Sequence, residues 1–308
     1  MHVLRGIDFV PAFAKSAVLA IGNFDGVHRG HQALIATAQG IARETGKPSG
    51  VMVFEPHPRA YFAPAEPHFI LTPLAEKLKI LDGLGLKLAV VMDFDAHLAA
   101  LAAEDFIGDV LVSALGVSHV VIGYDFFFGR KRGGNPATMT AAGQRLGFGT
   151  SVVEPVAEGG EVFSSTEIRL KLAQGDVKGA AWALGRNWRV SGQVTGGARR
   201  GSGMGYPTAN VPLPPGTALG HGIYAVRAIV DGVAHAAAAY LGTRPTFDDG
   251  SPVLEVFLID FDGDLYGRPL TVEFVSFVRP DRKFDGAAAL VQQMAKDVAE
   301  VRRVLAVG

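Results

Sequence analysis

The sequence predicts an α/β protein in two parts: an N-terminal doubly wound parallel-sheet domain, then a C-terminal antiparallel β-barrel with a closing helix. Three observations carry this expectation. The first half alternates short, continuously apolar runs with longer stretches of helical periodicity. The second half replaces that alternation with β-like runs punctuated by glycine. The C-terminal segment returns to an apolar stripe at helical spacing.

In the first half, strands are expected at 17–22, 50–54, 87–93, 118–123 and 150–154, each rich in Val, Ile or Leu at successive positions. Helices are expected between them at 30–45, 72–84, 96–115 and 136–146. Strands apolar on both faces and separated by helices imply a parallel sheet covered on both sides, which binds ligands at the carboxyl ends of its strands. A helical stretch over 167–184 leads to the second half. There, β-like runs at 189–195, 222–230, 234–241, 253–260 and 270–278 are separated by turn signals such as Val230-Asp231-Gly232. Leu290, Met294, Val298, Val301 and Leu305 then mark one face of a closing helix over 286–305. The boundary falls near 184–187, giving domains 1–184 and 185–308.

Composition narrows the function. At 308 residues the chain exceeds the usual size of one domain, and 48% hydrophobic with 19% charged residues is a globular composition. Lys plus Arg number 29 against 30 Asp plus Glu, a net charge of −1, so no global field favours nucleic acid or an anionic membrane. There is no cysteine, which excludes disulfide and thiolate chemistry and fits a reducing compartment, so a cytoplasmic location is expected. Residues 1–9 carry no apolar signal core, and no apolar run is long enough to suggest a membrane span.

The densest motif is Gly22-Asn23-Phe24-Asp25-Gly26-Val27-His28-Arg29-Gly30-His31, which leaves the first strand and opens a helix. Glycines admit close backbone approach to a phosphate, and a helix start offers free N–H groups and the positive dipole end. His28 and His31 are spaced to face the same oxyanions, which suits nucleotidyl transfer, where charge grows on the α-phosphate and on leaving pyrophosphate. Two bland alternatives compete: a structural turn, and a two-ligand fragment of a metal site, for which no third ligand is arranged nearby.

This string resembles the signature of the HxGH nucleotidyltransferases, in the form found in prokaryotic bifunctional riboflavin kinase/FAD synthetases. Three further blocks agree in order: Phe54-Glu55-Pro56-His57-Pro58, Gly123-Tyr124-Asp125-Phe126-Phe127-Phe128-Gly129 and Ser164-Ser165-Thr166-Glu167-Ile168-Arg169. The resemblance implies that His28 and His31 contact ATP phosphates and that Asn23 and Asp25 order a phosphate loop that includes Gly22, Phe24 and Gly26. It implies that Asp125, Phe128 and Gly129 border the flavin and adenine sites. Arg169 is implied to meet pyrophosphate, with Ser164, Ser165 and Thr166 at the same helix start. Ser164 with Glu167 also reads as a capping box, and a helix start is itself an anion site. For His57, a rigid Pro-His-Pro turn stands beside ligand contact.

The second dense block is Gly192 to Asn210, whose six glycines predict a loop able to fold over phosphates. Arg199 and Arg200, beside Gly197, can meet phosphate oxygens, while Thr208 and Asn210, after Pro207, offer hard oxygen ligands of the kind Mg2+ accepts. This is not a Walker A sequence, because no Gly-Lys-Ser/Thr follows the glycines. Pro207-Thr208-Ala209-Asn210 resembles the riboflavin kinase signature, followed in family order by Gly222-Ile223-Tyr224-Ala225-Val226, Gly242-Thr243-Arg244-Pro245-Thr246-Phe247, Glu255 and Asp264-Leu265-Tyr266-Gly267.

The resemblance implies MgATP on Thr208 and Asn210, and Glu255 as the base for the riboflavin 5′-hydroxyl. It also implies Arg279 and Phe284, with Lys283, as walls near the flavin. A carboxylate on the apolar strand Val253-Leu254-Glu255-Val256-Phe257-Leu258 is costly unless it serves a site, although a surface strand position is the plain alternative. Two departures weaken the kinase inference without removing its Thr, Asn or Glu: Ser202 where the family commonly has Arg, and Tyr240 where it often has Asn. The implied substrates are riboflavin, FMN and ATP, with Mg2+ as cofactor and no nucleic acid or membrane partner. The runner-up is a monofunctional FMN adenylyltransferase with a flavin-binding regulatory barrel.

Overall fold

All five apolar runs of the first half form parallel strands, and a sixth strand precedes them. The computed structural model describes residues 1–196, 206–242 and 253–306. Chain contacts divide it into two units, Met1–Ser165 and Thr166–Gly308. The first unit contains, in order, β1 (His2–Arg5), β2 (Val18–Ile21), α1 (Arg29–Thr45), β3 (Ser49–Glu55), α2 (Pro58–Phe62), α3 (Leu74–Gly83) and β4 (Leu88–Asp93). It continues with α4 (Ala96–Ala100), α5 (Ala103–Asp105), β5 (His119–Gly123), α6 (Pro136–Leu146), β6 (Gly149–Val153) and the ribbon β7 (Ala157–Glu158) with β8 (Glu161–Val162).

The six-stranded sheet runs β1-β4-β3-β2-β5-β6 with every pair parallel. Alternate residues of each strand serve opposite layers. Leu19, Ile21, Met52, Val90 and Val120 face one core with Ile107, Leu111 and Met139, while Val18, Ala20, Val51, Val91 and Val121 face another with Ile35, Ala38 and Leu81. Both faces being covered is the reason these strands read as continuous apolar runs. Strand order reverses between β2 and β5, so the loops leaving their carboxyl ends diverge and open a crevice there.

Two local differences from the sequence reading have clear causes. Strand β1 is a short edge strand with mostly exposed residues, so it lacks the apolar run that marks its neighbours. The helix expected over 96–115 is interrupted, because Leu101 and Ala102 are extended. Phe106–Ala114 beyond them is a π-helix. The interruption frees the Leu101 carbonyl, which accepts the Arg130 N–H at 2.7 Å and so fastens the loop that leaves β5.

The second unit comprises most of α7 (Ser165–Ala173), then α8 (Val177–Leu184), β9 (Arg189–Gln193), β10 (Ala209–Pro212), β11 (Gly222–Val230), β12 (Val233–Gly242), β13 (Val253–Leu258), β14 (Pro269–Pro280) and α9 (Ala287–Ala306). The stretch read as one helix over 167–184 is two, because Asp176 caps a new start by accepting the Gly179 N–H at 2.8 Å. The segment packs within this unit: Gly220 N–H donates to the Leu172 carbonyl at 2.9 Å, and α8 lies against β14.

The strands form an antiparallel sheet in the order β10-β13-β12-β11-β14-β9. A bridge between Thr195 and Asn210 joins its two ends, making a near-closed barrel. Leu254, Val256 and Leu258 fill the interior, whereas Val253, Glu255 and Phe257 face outward. Helix α9 covers part of the outer face, with Val298, Val301 and Leu305 among Ala236, Ala238, Phe257 and Val278. Buried Glu273 ties three segments together, accepting from Arg189 at 2.7 Å and from Asn187 and Arg227 at 3.2 Å. Burial alone would raise its pKa, but these hydrogen bonds and the Arg189 charge hold it below the ordinary glutamate value.

Candidate active sites

In the first unit the string 22–31 leaves β2 at the sheet's switch point. Its turn is anchored by apolar side chains in costly backbone conformations: Phe24 and Val27 have φ of 48° and 44° and are both fully buried. A left-handed conformation costs roughly 1–2 kcal/mol per residue, which burial of the two side chains offsets. Asp25, 2% exposed, accepts the N–H groups of Leu71 and Thr72 at 3.1 and 3.0 Å, and its carbonyl accepts the Ser165 hydroxyl at 2.8 Å. The loop is thereby tied to the chain before α3 and to the start of α7.

His28 caps α1, its Nδ1 accepting the His31 N–H at 3.3 Å, which keeps the ring proton on Nε2. The His28 and His31 rings stack with centroids 3.6 Å apart, and Phe24 lies 5.1 Å from His31. Gly30 suits this arrangement: a Cβ there would stand 3.0 Å from the His28 ring and 3.1 Å from the Phe163 carbonyl, so its neighbours would have to give by a few tenths of an ångström. Burial, then the adjacent His28 and Lys77, hold the His31 pKa well below the ordinary histidine value, so the ring is neutral at pH 7. Its Nδ1 is buried without a hydrogen-bond partner among the described residues, a cost of about 1–3 kcal/mol that a ligand contact would remove. Arg29 pairs with Glu158 at 2.7 Å and lies over Phe163, drawing the segment before Ser164 against the start of α1.

If Asp25 organises this loop, Asp25→Ala leaves two buried N–H groups unpaired. The expected cost is about 2–4 kcal/mol, read as an earlier urea transition.

In the second unit a cavity of about 220 Å³ opens at one end of the barrel, lined by Val194, Thr195, Thr208, Asn210, Asp264 and Tyr266 among others. Asn210 is 6% exposed and stands directly opposite Glu255, which in turn stands opposite Tyr240 on the next strand. The register continues through Ile223 to Arg279, so these residues share one outward row. The Tyr240 hydroxyl donates to Asp281 at 3.0 Å; burial and that carboxylate push the phenol up to about 12. Arg279 grips buried Asp297 on α9 through two hydrogen bonds of 2.9 and 2.7 Å, and both Arg279 and Arg282 lie over the Phe284 ring.

Residues 10–167 match the FAD synthetase family and residues 184–305 match the riboflavin kinase family. A bifunctional riboflavin kinase/FMN adenylyltransferase of Pseudomonas fluorescens is 38% identical over 307 residues, covering 99% of this chain and 98% of the relative. The chain belongs to the bifunctional riboflavin kinase/FMN adenylyltransferase family. Relatives of the same name in Escherichia coli strain K12 and Bacillus subtilis are 38% and 36% identical, each over 98% of this chain and 97% of the relative. A crystal structure from Streptococcus pneumoniae, described as a macrolide-efflux protein, superposes with a TM-score of 0.85 at 28% identity, covering 97% of this chain and 98% of that one. Among the described residues of the present chain, no helix is long and apolar enough to cross a membrane.

Against this bifunctional family's motifs, the structure brings Gly22, Asn23, Asp25, Gly26, His28 and His31 together at one crevice edge. It assigns other side chains to packing. Phe24 is core. Phe128 is 8% exposed and stacks on Phe126 and against Phe106, so the exposed rings of that loop are Tyr124 and Phe127. His57 caps α2 by accepting the Arg59 N–H at 3.1 Å and lies beside His68. Asp125 is exposed with its carboxylate close to Gly123, while the backbone of Gly129 abuts Ala103. Ser164, Thr166 and Arg169 flank Ser165 at the start of α7.

Pro207, Thr208 and Asn210 line one cavity. Gly197, Arg199, Arg200 and Ser202, with the block 243–247, lie outside the described residues. Sequence reasoning missed Lys77, which is 3% exposed and donates to the Asn23 carbonyl at 2.8 Å. The available signal was a lysine on the apolar stripe Leu74, Leu78, Leu81 of α3.

Proposed function

We propose that the first unit transfers an adenylyl group from ATP to FMN, giving FAD and pyrophosphate, and that the second phosphorylates riboflavin to FMN with ATP. What supports the reading is that each unit holds a group of candidate residues of its own: the stacked His28–His31 pair on a helix start, and Thr208, Asn210 and Glu255 on the barrel.

In adenylyl transfer an FMN phosphate oxygen attacks the α-phosphorus and the bond to pyrophosphate breaks. His28 and His31 donate to the oxygens on which charge grows, while α1's N-terminal N–H groups and Arg169 favour the anionic product. Gly22, Asn23 and Gly26 shape the loop, and Ser164, Ser165 and Thr166 extend the anion site. Tyr124 and Phe127 supply exposed aromatic surface on the loop that also carries Asp125 and Gly129.

In the kinase reaction Glu255 takes the riboflavin 5′-hydroxyl proton as the oxygen attacks the γ-phosphorus, and the bond from that phosphorus to the bridging oxygen breaks, with ADP leaving. The Thr208 hydroxyl and Asn210 amide oxygen suit Mg2+, which would neutralise charge on the transferring phosphate. Among the described residues no cluster of three or more His, Cys, Asp or Glu could cage a cation, so nucleotide oxygens and water would complete the shell. Phe284, steadied by the two arginines, offers a face to the flavin, and Arg279 acts through Asp297 as a wall brace. With no cysteine to protect and no membrane-crossing helix among the described residues, we place the enzyme in the cytoplasm.

Incubation with riboflavin and MgATP, followed by chromatographic separation of riboflavin, FMN and FAD, tests the whole reading. A fragment of residues 166–308 is expected to make FMN and no FAD. We take the working boundary at 166 rather than 185, because removing 166–184 strips buried Leu172, Val177, Ala180, Ala183 and Leu184 from the unit. A folded 166–308 fragment without kinase activity would instead favour a regulatory barrel.

A further inference from the structure

Lys77 stands on α3, beneath the loop that leaves β2. Its side chain is nine-tenths or more enclosed, with 3% exposure, and its ammonium donates to the Asn23 carbonyl at 2.8 Å. That carbonyl is its one hydrogen-bond acceptor among the described residues. Burying an ammonium costs several kcal/mol unless other charges compensate. Burial lowers the Lys77 pKa, while Asp25 and Glu55 nearby favour the charged form. Asp25 directs both carboxylate oxygens to the N–H groups of Leu71 and Thr72, so its acceptor capacity is largely committed elsewhere. The same cation is felt at His31, whose protonation it disfavours. A buried positive charge thus lies under a glycine-flanked turn, next to a helix start and two imidazoles, with the loop backbone as its one hydrogen-bond partner among the described residues.

We propose that Lys77 is a positioning residue for adenylyl transfer: it holds the Asn23 carbonyl in place and supplies a fixed positive potential to the polyphosphate of ATP and to pyrophosphate. It acts through the loop and touches no reacting atom. In a partly enclosed site one unit charge acting over several ångströms changes anion affinity by about tenfold or more. The inference rests on the reading of 22–31 as the phosphate site.

The test uses the full-length protein and two variants. Lys77→Met keeps the bulk, while Lys77→Gln keeps an N–H donor without the charge. Both are expected to raise the KM for ATP in FAD formation from FMN by about tenfold, and the KM for pyrophosphate in the reverse reaction similarly. The KM for FMN and the rate of FMN formation from riboflavin should stay near wild type. A Lys77→Gln enzyme with wild-type KM for ATP and pyrophosphate would overturn the electrostatic role, as would equal losses in every parameter of FAD formation. Should Lys77→Met fail to fold, Lys77→Gln decides alone. A wild-type protein that makes no FAD would overturn the phosphate-site reading itself, a separate failure.

Discussion

His28→Ala combined with His31→Ala is expected to lower FAD formation from FMN by about 10³-fold or more while leaving FMN formation from riboflavin intact. Loss of one preorganised donor at a site of developing charge typically costs about 10²–10³ in rate, and the two imidazoles act on one phosphate chain. They act as a unit, since His28 binds the His31 N–H and the rings stack at 3.6 Å, so each single replacement should cost nearly as much as the pair. His28 also caps α1, worth about 1 kcal/mol, so stability must be separated from chemistry. His28→Asn restores a capping oxygen without an imidazole; it should recover the urea midpoint and leave adenylyl transfer crippled. Near wild-type FAD synthesis in the double variant would refute the assignment.

Glu255→Gln is expected to reduce kcat for FMN formation by about 10² or more, the usual worth of a positioned base, with little change in riboflavin or MgATP binding. The replacement keeps the shape of a half-buried strand residue opposite Asn210 and Tyr240, so the barrel should be undisturbed. FAD formation from supplied FMN should be unchanged, because none of the residues proposed for that reaction lies on the barrel strands. Wild-type kcat in this variant would reduce Glu255 to a strand residue and pass the proton to water or to Asp248 or Asp249, which lie outside the described residues.

Legibility in the sequence followed the physics of each element. The four inner strands were readable because a strand covered on both faces must be apolar throughout, and the long strands of the barrel because glycine and aspartate mark their turns. β1 was not readable, since an edge strand with exposed residues carries no such run. Nor was β10, hidden inside a motif whose chemistry drew attention away from its buried Ala209, Asn210 and Val211. The break after α4 is decided by a distant backbone group, the Arg130 N–H, and no local propensity encodes it. The same holds for side chains. Motif matching found the residues of 22–31, but only packing separates Asn23 and His31 from Phe24, which faces the core. Lys77 belongs to no matched string, and its place on the apolar stripe of α3 gains meaning only from its burial and its hydrogen bond to Asn23.

The bridge between Thr195 and Asn210 carries a consequence for how the barrel can change over time. Among the described residues it is the one backbone link between β9 and β10, the seam at which the cylinder is fastened. Asn210 contributes its carbonyl to that clasp, accepting the Thr195 N–H at 2.9 Å, while its side chain belongs to the row that includes Glu255. The clasp is made by a main-chain carbonyl that any residue at 210 would supply, whereas the outward row is made by side chains. The seam can therefore be kept while the side chain facing Glu255 changes, and the two features can drift separately.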